Sequence, residues 1–243
     1  MAILFDETDD YFLITDAAEL TLPDGNWCVG LWTLITDNTG SNFQYALSTN
    51  ALAANNSFNL SLGEATSANA NQWIVRTVDG DATAGSLSAT ATPGADSIWR
   101  LIIAQRNETG GDLELWFCTP GAAPSETHTI AIPAGYDAIN AGNWYIGARA
   151  DSNADRFYGS TMAELFKGNF CLTSAQIQAL GEGLPIFTLA AQAGFTLDLY
   201  LPMWQSIATL IDYSGSDNSA ARQSAPATAA HPPICTPIKR RRF

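Results

Sequence analysis

Apolar residues in this chain come in short runs, and Gly, Asn, Asp or Pro interrupts most of them before they reach the length of a helix. Ile3-Leu4-Phe5 and Tyr11-Phe12-Leu13-Ile14 flank an acidic turn, and the run 27–35 closes at Asp37-Asn38-Thr39-Gly40. The runs 43–48, 57–62 and 72–78 follow like a meander, and 99–105 and 113–118 flank the turn 107–111. Such runs predict strands. Strands this numerous bury their apolar faces by packing as two sheets.

Helical signals are confined to two places. In Leu172-Thr173-Ser174-Ala175-Gln176, Thr173 is placed to cap a helix and Gln176, three residues on, to reach back to its backbone N–H. Ile177 and Leu180 then share one face, and Gly181 or Gly183 provides the stop. The segment 185–194 reads as a second short helix, with proline in its first turn and glycine at its end.

With 243 residues and 47% hydrophobic content the chain can bury a sizeable core. Its formal charge of −13 is uneven, because four of its eleven basic residues fall in the last five positions. The body is thus strongly acidic and the tail is basic. An acidic body argues against nucleic-acid binding. Met1-Ala2-Ile3-Leu4-Phe5 runs at once into Asp6 and Glu7, so no signal peptide is expected, and no apolar run has the length of a membrane span. Cys28, Cys118, Cys171 and Cys235 lack metal-site spacing and are expected as free, mostly buried thiols.

Several phrases along the chain carry a resemblance. Trp144-Tyr145-Ile146-Gly147, the polar loop 151–155, Phe157-Tyr158-Gly159 and the L-T-x-x-Q-I-x-x-L of 172–180 follow one another without a gap. Phe5-Asp6-Glu7-Thr8-Asp9-Asp10-Tyr11 is similar to an opening F-D-G-x-D-D-Y, with Glu7 at the glycine. The tryptophan-bearing run 27–35 and the hairpin 99–118 match further phrases. Together they resemble the laminin-G-like jelly roll of the concanavalin A-like lectin and glucanase superfamily.

The resemblance implies an all-β, antiparallel two-sheet jelly-roll sandwich with one or two short helices. The phrase L-Y-L-P-M at 199–203, with Asp212-Tyr213-Ser214-Gly215-Ser216-Asp217-Asn218, is similar to one that usually opens such domains. Its place at the end implies a circular permutation, with the strand at 197–201 lying near the N-terminal one and Pro202 at an edge. The domain is expected over 1–219, and 220–243 as an extended, Pro-rich, basic arm.

Catalytic residues are not expected. Glucanases of the superfamily carry E-x-D-x-x-E, whereas this chain offers only Asp112-Leu113-Glu114, without a third acid. His128 and His231 lack the context of a nucleophile's base. Asp151, Asn153 and Asp155 have the D-x-N-x-D spacing of oxygen ligands for calcium, but Arg156 and Met162 break the longer pattern; Asp6, Asp9 and Asp10 are a second acidic group. No other cofactor is expected. A sugar surface would draw on exposed aromatic residues, for which Tyr136 and Tyr158 are the candidates, with Trp73 beside them.

The basic tail Lys239, Arg240, Arg241, Arg242 and Phe243 reads as a docking element. A non-secreted jelly roll without catalytic residues resembles in type the structural proteins of bacteriophage virions. The leading expectation is accordingly a non-enzymatic head- or tail-associated virion protein, made in the host cytoplasm. Its expected partners are other virion proteins and further copies of the chain. The alternative is a carbohydrate-binding module for host-surface glycans, with calcium as its candidate cofactor.

Overall fold

The computed structural model describes residues 2–15, 20–35, 43–49, 57–63, 72–78, 84–88, 97–124, 126–139, 142–150, 156–204, 208–224 and 226–232. Two antiparallel sheets of eight strands each make up the fold. The first runs β10 (Glu126–Ala131), β9 (Asp112–Cys118), β8 (Trp99–Asn107), β3 (Trp27–Leu34), β12 (Thr161–Gly168), β1 (Ala2–Leu4) and β16 (Ala227–Ala229), with β13 (Leu197–Leu201) also on β12. The second runs β14 (Thr209–Leu210), β15 (Ala220–Arg222), β2 (Phe12–Ile14), β11 (Trp144–Ile146), β4 (Gln44–Ser48), β5 (Ser57–Leu62), β6 (Trp73–Val78) and β7 (Ala84–Ser88). Helices α1 (Ser174–Gly181) and α2 (Ile186–Ala193) complete the described elements. This is the all-β sandwich with short helices that the sequence predicts.

The alternation of side chains explains why β3 reads as a continuous apolar run. Trp27, Val29 and Leu31 point into the core between the sheets, while Cys28 and Trp32 point into a second core under the helices. A strand covered on both faces has no polar side to show. At Gly30 a Cβ would lie 2.2 Å from the Phe166 ring, so the glycine makes room for an aromatic side chain from β12. β8 behaves alike, with Ile102 and Ala104 inward and Leu101 and Ile103 toward the helices.

Both helix starts match their sequence signals. The Thr173 side chain accepts from Gln176 N–H (3.3 Å), and Gln176 Oε1 accepts from Thr173 N–H (2.8 Å), a complete capping box. Pro185 stands at the N-cap of α2 rather than within its first turn, and Gly194 ends the helix at φ 72°. Ile177, Leu180, Ile186 and Leu189 seat the pair on the first sheet.

The C-terminal region departs from the expected boundary at residue 219. β15 pairs with β2, and β16 pairs with β1 over Ala2–Ala229, Ile3–Thr228 and Leu4–Ala227. Ala220–Arg222 and Ala227–Ala229 are therefore sheet and not arm, because each of these edges of β1 and β2 would otherwise leave its backbone groups without a ladder. β13 lies close to the N-terminal strand as the permuted phrase implies. β1 pairs with β12 at Thr161 and Met162, and β13 pairs with β12 at 165–168, so the two follow each other along one edge. The register of β12 shifts between Ala163 and Phe166, where one neighbour gives way to the other.

Candidate functional site

In the second sheet the strand register assembles a row that faces away from the core. Leu13, Tyr145, Ser48, Asn59 and Arg76 stand opposite one another in turn across β2, β11, β4, β5 and β6. Their alternates Ile14, Trp144, Leu47, Leu60 and Val75 belong to the inter-sheet core. The period of two thus forces a polar and aromatic row outward wherever the core row is apolar. Tyr45 and Ser61 form the next rung of the same face.

Two features set this row apart from an ordinary solvated face. The first is aromatic: Tyr11 stacks on Tyr145 with ring centroids 6.1 Å apart, and Phe157 lies 6.1 Å from Tyr11. Arg149 sits over the Tyr45 ring at 5.8 Å. The second is polar. Asn59 is 1% exposed, yet neither its Nδ2 nor its Oδ1 has a hydrogen-bond partner, and the buried Ser57 Oγ also lacks one. A buried amide left unpaired costs about 1–3 kcal/mol per group, and native chains rarely keep one without a role or a bound partner. Ser48 differs, since its Oγ accepts from Ala150 N–H (3.0 Å).

A second polar centre lies on the other sheet. Glu164, 4% exposed, occupies the register shift of β12 with φ 54°. Its carboxylate accepts from the Tyr200 hydroxyl and from Trp204 Nε1–H (3.0 Å), and His231 Nε2 lies 3.2 Å from Oε1 without hydrogen-bond alignment. Burial and the neighbouring carboxylate push the Tyr200 phenol far above its usual range. These contacts draw β13, its following loop and the segment after β16 onto one charge. The arrangement reads as a fastening point.

Most residues singled out in the sequence serve the structure. Tyr158 is fully buried, hydrogen-bonded to Thr33, and Trp73 is buried beside it at 6.2 Å. Tyr136 is 5% exposed, its ring 5.5 Å from the Arg106 guanidinium. Neither tyrosine offers a face to a sugar, contrary to the sequence expectation; each packs in the inter-sheet core. Glu114 accepts from Gln105 (2.7 Å), Asn107 (3.0 Å) and Trp116 (2.7 Å), bonds that tie β8 to β9. Asp212 likewise gathers Tyr200 N–H, Ser214 N–H and Asn218 N–H, each at 2.9 Å, so the D-x-S-G-x-x-N phrase is a turn builder.

Asp6, Asp9 and Asp10 each bring one carboxylate oxygen within 4.8 Å of the others. Asp6 Oδ1 already accepts from Thr8 N–H (2.9 Å) and Asp9 N–H (3.3 Å), and Asp10 accepts from Ser224 Oγ (2.6 Å). Glu7 takes the left-handed conformation, φ 63°, in that turn. Asp151, Asn153 and Asp155, and Lys239, Arg240, Arg241, Arg242 and Phe243, lie outside the described residues. Cys28, Cys118 and Cys171 are free thiols; burial pushes Cys118 and Cys171 up to about 11 and Cys28 well above its ordinary value. No described helix is long and apolar enough to cross a membrane.

Comparison of the coordinates with solved structures places this architecture. A Bacteroides ovatus protein described as carbohydrate binding aligns over 93% of the chain and 61% of its own length, with a TM-score of 0.63 and 13% identity. The fold is a lectin-like jelly roll. A tailspike protein of Escherichia coli O157:H7 bacteriophage CAB120 aligns over 83% of the chain and 26% of its own, at TM-score 0.52 and 14% identity. The Ruminococcus gnavus IT-sialidase CBM40, solved bound to α2,3 sialyllactose, aligns over 74% of the chain and 95% of its own, at TM-score 0.51 and 15% identity. The chain therefore spans less than two thirds of the Bacteroides protein and about a quarter of the tailspike. No protein-family model and no curated protein sequence matches it.

The row Tyr145, Ser48, Asn59, Arg76 escaped the sequence reading. Its signal was present in the alternation of Phe58-Asn59-Leu60-Ser61-Leu62, which turns Asn59 and Ser61 outward. What single strands cannot give is the register that sets Asn59 beside Arg76.

Proposed function

We propose that the chain is a non-catalytic carbohydrate-binding module that takes a glycan on the outward row of its second sheet. The observation that carries this reading is the stack of Tyr11 on Tyr145, both half-buried, beside the outward row. A partly exposed pair of aromatic rings supplies the apolar surface that the C–H face of a pyranose requires. The similarity in fold to a sialyllactose-bound CBM40 and to a Bacteroides protein described as carbohydrate binding supports it. A glycan array probed with the full chain is expected to light up, and Tyr145→Ala to dim the signal. A silent array, with and without calcium, refutes the proposal.

A second reading, compatible with the first, sets this module in a bacteriophage virion. The tailspike similarity over 83% of the chain favours it. In this reading the module faces host glycans and Lys239, Arg240, Arg241, Arg242 and Phe243 dock it to other virion proteins or to further copies. Light scattering on the full chain and on a form ending at Ala230 tests it: assembly of the first and not the second is expected. Equal behaviour of the two counts against the tail as the docking element.

A further inference from the structure

We propose that the recess between the α1–α2 junction and the first sheet binds a primary alkylammonium group, with Glu164 as its counter-charge. This site is separate from the outward row of the second sheet and does not depend on the glycan reading.

Shape makes the first argument. Trp32, Glu164, Phe166, Leu180 and Ile186 line a recess of about 250 Å³, counted out to its mouth, and the half-buried Leu184 marks its opening to solvent. Its centre has room for one group the size of a water molecule, which is also the size of an ammonium head. Glu164 is only 4% exposed, but it lines this opening and is reached through it.

Charge makes the second. Both hydrogen bonds to the Glu164 carboxylate come from neutral donors, the Tyr200 hydroxyl and Trp204 Nε1–H, which leave its charge uncancelled. No Lys or Arg among the described residues pairs with it. His231 Nε2, 3.2 Å away, carries a charge only when the ring is protonated. The other buried ions are matched within the chain: Arg106 holds Asp24 and Lys167 holds Asp198, each at 2.6 Å. A buried carboxylate without a cation is costly. Its oxygens keep lone pairs for a further donor.

The walls select the ligand. Aromatic rings such as those of Trp32 and Phe166 attract a cation, and Leu180, Leu184 and Ile186 suit a methylene stem. A trimethylammonium head exceeds the space, and an anion meets Glu164 with like charge. A net charge of −13 draws cations toward the molecule as a whole.

Two-dimensional NMR on the full chain tests this by following the Trp204 indole N–H, with n-pentylammonium and Nα-acetyl-lysine N-methylamide as probes and n-pentanol as the neutral counterpart. At least one ammonium probe is expected to shift the signal saturably and to bind at least ten times tighter than pentanol. Binding of the lysine amide points to a protein lysine as the natural occupant, and binding of pentylammonium alone to a free amine. Glu164→Gln is expected to lower ammonium affinity to the level of pentanol. Leu184→Phe fills the recess, leaves the carboxylate in place and is expected to weaken ammonium and alcohol alike. No saturable shift with either ammonium probe, equal binding of pentanol, or affinity that survives Glu164→Gln overturns the inference. Should Glu164→Gln fail to fold, Leu184→Phe decides, and unchanged affinity there overturns it. The glycan array reads a different face, so each proposal can fail alone.

Discussion

Removing the Glu164 carboxylate is the sharpest test of how the C-terminal strands are held. In Glu164→Ala the Tyr200 hydroxyl and Trp204 Nε1–H lose their acceptor, and His231 loses the carboxylate beside it. An orphaned buried donor costs about 1–3 kcal/mol. Tyr200 is buried and suffers most of this, whereas the half-buried Trp204 recovers part of its bond from water. The expected loss is therefore about 3 kcal/mol. Glu164→Gln keeps one acceptor oxygen and loses less. Glu164→Gly deletes more atoms but removes the left-handed strain of φ 54°, which costs a residue with a Cβ about 1 kcal/mol. It is expected to be no worse than alanine. Urea unfolding followed by tryptophan fluorescence gives the ranking, and tryptic cleavage at Arg222 is expected to quicken in the alanine variant. A loss below about 1 kcal/mol for Glu164→Ala, with Arg222 still protected, refutes the fastening role.

Other consequences are as specific. Gly30→Ala forces a Cβ to 2.2 Å from the Phe166 ring, and an overpacked core of this kind is expected to lose about 1–3 kcal/mol by denaturant midpoint. Burial, with Asp6 and Asp9 nearby, raises the Asp10 carboxyl above its unfolded value of 3.8. The folded chain thus holds that proton more tightly, and the associated stability is full below pH 3.8 and lost as pH rises through the raised value. Asp10→Asn keeps an acceptor for Ser224, and its thermal stability relative to wild type is expected to improve from pH 3 to pH 7; a constant difference would contradict this. Cys118 and Cys171, pushed up to about 11, are expected to react with a disulfide reagent at pH 8 far more slowly than free cysteine.

The parts of this fold that were legible in the sequence are those decided by local chemistry. Thr173 with Gln176 named its capping box, and the buried strands β3 and β8 announced themselves as unbroken apolar runs. What local chemistry does not decide is pairing. β15 and β16 read in the sequence as Ala- and Thr-rich tail because they contribute little side-chain burial; only the open ladders of β1 and β2 make them sheet. The tyrosines fail for a related reason. Tyr136 and Tyr158 look like surface aromatics from their loop neighbours, yet each ring fills a place that the second sheet creates. Arg76 and Asn59, on different strands, become a pair only through the register of β5 and β6.

The pairing of β1 with β16 and of β2 with β15 also sets the order in which the molecule can be completed. The first strands leave the ribosome early, but two of their four neighbours are among the last strands made. β1 and β2 can pair with β12 and β11 first, but the opposite edge of each waits for a partner more than two hundred residues along the chain, a separation that slows folding and leaves apolar edges open to other copies.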